Sequence, residues 1–123
     1  MEIRASDGVE LSFDIAGTDS PSFLFVHGGG ADRSHLAPQF DFFSRRNRSI
    51  NLDLRGYGRS GRPEKYGTIE QYAEDVAVLC NQLNCVEECT AENLSFPISF
   101  LSFFSGFSLT TQLLMNNVRS HFK

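Results

Sequence analysis

Cysteine is scarce in this chain, basic charge is not in excess and no apolar leader opens it; each shortage removes a class of protein. The three cysteines, Cys80, Cys85 and Cys89, are an odd count that closes no disulfide framework. Their C-x4-C-x3-C spacing has no neighbouring histidine to complete four zinc ligands. No metal and no cofactor is therefore expected, and the thiols read as ordinary reduced cysteines of a cytoplasmic protein. Lys and Arg number 11 against 15 Asp and Glu, a formal net charge of −4, which argues against nucleic acid as a partner. A local basic stretch (Arg45, Arg46, Arg48, then Arg55, Arg59, Arg62 and Lys65) reads as a helix C-terminus followed by a polar loop. Met1-Glu2-Ile3-Arg4 leads into no apolar h-region, so no secretory signal is expected.

What is present divides into two unlike parts, residues 1–84 and 85–123. In the first, Ser6-Asp7-Gly8 is a turn between two short strands, residues 3–5 and 9–15. Val9, Leu11, Phe13 and Ile15 alternate with polar residues, so one face of that second strand is buried. Residues 17–22 read as a loop, and Phe23-Leu24-Phe25-Val26 as a strand buried on both faces. A helix is expected over 35–45, where Leu36, Phe40 and Phe43 fall at helical spacing and Pro38 requires a start close by. Ile50, Leu52 and Leu54 then alternate as a strand. Thr68 and Gln71 form a capping-box signature for a second helix, with Tyr72, Val76, Leu79 and Leu83 as its buried stripe. Strand, helix, strand, helix with short links is the pattern of crossover units around a parallel sheet.

Two glycine motifs carry the chemistry. A glycine tract at the carboxyl end of a buried parallel strand lets backbone N–H groups approach a ligand. His27-Gly28-Gly29-Gly30 is such a tract, with Ala31-Asp32-Arg33-Ser34 after it; no lysine follows, which excludes a P-loop. Donors aimed at a developing oxyanion, or a tight turn without a ligand, both remain open for it. Gly56-Tyr57-Gly58-Arg59-Ser60-Gly61 spells G-x-G-x-x-G, but Arg62-Pro63 follows it where a dinucleotide site needs a helix.

In order and spacing, Phe23 to Gly30, a helix, Asn51-Leu52-Asp53-Leu54-Arg55-Gly56-Tyr57-Gly58-Arg59-Ser60 and a capped helix resemble the α/β-hydrolase family. The resemblance spans about residues 9–84. It implies an α/β fold: a partial hydrolase sheet with an antiparallel start, then parallel strands with two crossover helices. It implies hydrolysis of a small-molecule ester or related bond, with Gly29 and Gly30 at the family's first oxyanion donor. His27, Gly28, Asp53, Arg55, Gly56, Gly58 and Ser60 are the motif residues, and the Asp53-to-Ser60 loop shapes the site without holding a triad member.

The resemblance stops where the family places its nucleophile elbow, G-x-S-x-G, which occurs nowhere in the sequence. The nearest segment is Gly106-Phe107-Ser108-Leu109-Thr110; no acidic residue follows Ser108, and His121 lies near the end of the chain. A Ser108–His121 pair is therefore not expected to work, and the catalytic residues stay unassigned. The chain reads as a truncated family member, catalytically incomplete on its own. One alternative is a serine hydrolase that is active or partner-dependent. Another is a membrane-associated or interaction protein acting through residues 93–118, which carry no charge. Pro97 and five serines in that stretch argue against a bilayer span. In the strand order the resemblance implies, the apolar strand at 23–26 lies between the fourth strand and a fifth, so without that fifth strand it becomes a sheet edge open to self-association. The Ser/Phe-rich tail either covers that edge or stays loose.

Overall fold

The computed structural model describes residues 1–65 and 67–84. Strands β1 (Glu2–Arg4), β2 (Glu10–Ala16), β3 (Asp19–Val26) and β4 (Asn47–Leu52) form one sheet in the order β1-β2-β4-β3. A 3-10 turn (Arg33–Leu36) and helix α1 (Ala37–Phe43) join β3 to β4, and helix α2 (Ile69–Gln82) follows β4. β1 with β2 and β2 with β4 are antiparallel, whereas β3 and β4 are parallel, as the family resemblance implied.

Several boundaries differ from the sequence reading, each for a tertiary reason. β3 begins at Asp19, within the expected loop, because Asp19 pairs with Asn47 and the Asn47 carboxamide donates to the Pro21 carbonyl. The helix expected over 35–45 is shorter. Asp32 caps a 3-10 turn by accepting from the Ser34 amide, and Pro38 then stands in the first turn of α1. β4 ends at Leu52, and its last four residues, Ser49 to Leu52, are all buried rather than alternating. A strand between two neighbours with packing on both faces hides polar and apolar side chains alike.

Pleat geometry fixes what each face carries. Phe23 and Phe25 meet α1, with Phe23–Phe43 centroids 4.7 Å apart and Phe25–Phe40 edge-on at 6.4 Å. Ser49 and Asn51, their register partners on β4, share that face. Leu24, Val26, Ile50, Leu52 and Phe13 fall on the other, in a core that also takes in Ala73, Val76, Leu79 and Cys80 of α2. Each such side chain fully buried stabilises by about 1.5–3 kcal/mol. The α2 stripe is broader than expected: Asp75 and Ala77 are buried with it, while Tyr72 and Leu83 are only partly covered. The capping box forms, with the Gln71 amide donating to Thr68 Oγ1 at 3.2 Å and the Thr68 amide to Gln71 Oε1 at 2.8 Å. Among the described residues β3 has a partner on one side only. No helix among them is long and apolar enough to cross a membrane.

Candidate functional site

The glycine tract leaves the end of β3 beside the loop that leaves the end of β4, and His27 joins the two. Its buried ring receives the Leu54 amide on Nε2 at 3.0 Å, so the ring proton sits on Nδ1, 2.8 Å from the Gly28 carbonyl oxygen. Burial pushes the His27 pKa down; the Gly28 carbonyl and the charges of Asp53 and Asp32 pull weakly the other way. The imidazole is thus held neutral, and the Tyr57 ring stands edge-on to it at 5.4 Å. Beyond it Gly29 and Gly30 are exposed, and among the described residues their amides donate to no protein acceptor. The Tyr57 hydroxyl would lie 3.8 Å from a Cβ placed on Gly29, an ordinary contact.

Asp53 organises the second loop from inside. Its buried carboxylate accepts from the amides of Arg33 at 2.8 Å and Arg59 at 3.1 Å, and Arg33 Nη1 lies at 3.5 Å. Gly58 passes so close, at φ +52, that a Cβ there would sit 2.4 Å from the Asp53 carboxylate carbon. Ser60 Oγ donates to the Asp53 carbonyl at 2.6 Å and accepts from the Ser12 amide at 2.9 Å, tying the loop to β2. The Gly56 amide closes the turn on the Gly61 carbonyl at 2.8 Å.

Arg55 turns away from the glycine tract. Its buried guanidinium makes a bidentate pair with Asp75 of α2, at 2.7 and 2.6 Å, and reaches Asp7 of the β1–β2 turn at 2.7 Å. The Asp75 hydrogen bonds raise the Arg55 pKa, and the Arg55 hydrogen bond lowers that of Asp7. Burial pushes the Asp75 carboxyl up, with Arg55 pulling against it. The structure therefore brings His27, Gly28 and Gly29 together with the loop, and assigns Asp53, Arg55 and Ser60 to holding that loop.

An open cleft of about 470 Å³ lies beside α1, lined by Asp14, Arg33, Asn51, Asp53, Arg59 and the apolar Ala37 and Phe40, among others; Gly29 and Gly30 do not line it. The sequence reading gave no site role to Arg33, Asn51, Asp7 or Asp75. Asp75 carried a signal, a carboxylate one residue from Val76 on the apolar stripe of α2. Arg33 and Asn51 carried none, because their partners lie far away along the chain. Among the described residues no cluster of His, Cys, Asp and Glu has the makings of a metal site. Ser108, His121, Cys85, Cys89 and the uncharged stretch 93–118 lie outside the described residues.

No family model matches the sequence. Solved structures do match. A thermophilic esterase from Thermogutta terrifontis shares 36% identity over 68% of this chain and 32% of its own, with a TM-score of 0.62. An enol-lactonase from Burkholderia xenovorans shares 31% over 68% and 33%, also at 0.62. An epoxide hydrolase from Vigna radiata shares 28% over 68% and 28%, again at 0.62. The chain thus spans about a third of the length of the structures it matches. With the mixed four-stranded sheet, two helices and glycine tract after β3 of its described residues, this chain belongs to the α/β-hydrolase fold family, and those residues form part of that fold.

Proposed function

We propose that this chain carries the backbone-donor side of a hydrolase site for a small-molecule ester or related bond, and that it does not cleave such bonds unaided. The observation that carries this reading is the pair of exposed amides of Gly29 and Gly30, without an acceptor among the described residues, which follow a buried strand end and are steadied by His27. Preorganised N–H donors stabilise a developing oxyanion, and removing one such donor from a working enzyme costs about 10²–10³ in rate. In this fold the other donor is the amide after the nucleophile. The 123 residues contain no G-x-S-x-G to supply it. The net charge of −4 argues against nucleic acid as a partner, and the odd cysteine count supports a cytoplasmic protein.

The test uses the full chain with p-nitrophenyl esters and a fluorophosphonate probe. The expected result is no hydrolysis above buffer and no labelling; stoichiometric labelling at Ser108 would overturn the catalytic half of the proposal. Titration with a small alkylphosphonate, a tetrahedral oxyanion, is expected to shift the Gly29 and Gly30 amide resonances. Unmoved resonances would remove the donor assignment.

A further inference from the structure

We propose that the cleft beside α1 binds a primary ammonium ion carrying a short apolar body. The cleft excludes the glycine tract, so the inference stands apart from the oxyanion reading. Its first support is Asn51. This residue is almost completely buried on β4, and its carboxamide nitrogen donates to the Arg33 carbonyl at 2.9 Å. Its carboxamide oxygen has no hydrogen-bond partner among the described residues, although it belongs to a residue that lines the cleft. A buried acceptor of this kind calls for a donor, and an N–H group brought by a ligand supplies one.

Charge is the second support. Four carboxylates line the cleft, those of Asp14, Asp32, Asp41 and Asp53, against the guanidiniums of Arg33 and Arg59. Arg33 is already engaged, with Nε 3.1 Å from Asp14, Nη1 donating to Ser12 Oγ at 2.9 Å and lying 3.5 Å from Asp53. The surplus of negative charge favours a cation. Ala37 and Phe40 supply an apolar wall for the body that carries it. The volume of about 470 Å³ suits a small organic molecule.

The full chain is titrated with 2-phenylethylammonium and followed by amide chemical shifts. Saturable binding with a Kd of about 1 mM is expected for a ligand of this size. The shifts should centre on Arg33, Ser34, Asn51 and Asp53. Neutral 2-phenylethanol should bind about tenfold more weakly or worse, and so should trimethyl(2-phenylethyl)ammonium, a cation without N–H donors. Asn51→Leu should abolish the shifts. Asp41→Asn, at an exposed position outside the core, should weaken binding about threefold, whether or not the Asn51 variant folds. Equal binding of the quaternary ion would reduce the cleft to a diffuse acidic patch. No saturation up to about 50 mM would mean that water satisfies Asn51, and either result overturns the proposal.

Discussion

Replacing Gly58 by alanine probes the contact on which the β4 loop turns. Gly56 supplies the control, since both glycines have positive φ, +81 at Gly56 and +52 at Gly58, but only Gly58 is crowded. Forcing a side chain into the left-handed region costs about 1–2 kcal/mol at either position. At Gly58 the new methyl also meets the Asp53 carboxylate at 2.4 Å. That carboxylate must move away from the amides of Arg33 and Arg59, and each hydrogen bond to a charged group contributes about 1.5–3 kcal/mol. If relaxation keeps one of the two, Gly58→Ala loses about 3–5 kcal/mol and Gly56→Ala about 1–2. The hydrogen bond that separates the two variants contributes about 1.5–3 kcal/mol and each kcal/mol lowers the Tm of a small domain by about 4–8 °C, so they should differ by at least about 6 °C in thermal unfolding followed by circular dichroism. Adding Asp53→Ala to Gly58→Ala should cost much less than Asp53→Ala does in the parent chain, because the methyl has already displaced the carboxylate. Equal losses for the two glycine variants, or additive losses in the double variant, would refute the assignment of Asp53 and Gly58 as one packed unit.

Three further outcomes follow from the same contacts. Arg55→Met should destabilise by about 3–5 kcal/mol in urea titration, because it strands Asp75 in the interior, while Arg55→Met with Asp75→Leu should recover most of the loss. Thr68→Ala should cost about 1 kcal/mol by removing half of the α2 capping box. His27 is held neutral in the folded chain, so stability should be complete above the unfolded-state pKa of about 6.5 and fall as pH drops through it towards the lowered folded value. His27→Gln should flatten that pH dependence of Tm, and an unchanged slope would show that burial does not govern this imidazole.

What was legible in the sequence was what neighbours along the chain decide. Thr68 and Gln71 lie within one turn, so their mutual cap could be read without a fold. Val9 to Ile15 announced β2 by alternation, and the continuous run from Phe23 to Val26 announced a strand buried on both faces. Long-range pairing was not legible. Asp19 joins β3 only because Asn47 stands opposite, and the polar Ser49 and Asn51 are buried only because β4 lies between β2 and β3. At the candidate site the glycines could be found from their tract. The Leu54 amide that fixes His27 could not, since 27 residues separate the two.

The two motifs divide the labour of the proposed site between side chains and main chain. The side chains of Asp53, Arg55 and Ser60 all point inward, onto Arg33, Asp75, Ser12 and the loop backbone. Gly58 is there for the space it leaves Asp53. Among the described residues these side chains hold the loop together, so the pattern they make specifies a backbone path. Among the described residues the groups left free in the glycine tract belong to the main chain, at Gly29 and Gly30, and under the proposed function such amides would read negative charge on oxygen whichever bond breaks. An esterase, a lactonase and an epoxide hydrolase share the backbone path of this chain alike, each at a TM-score of 0.62. Choice among such bonds requires side chains that face the substrate, and beyond the buried imidazole of His27 the glycine tract carries none.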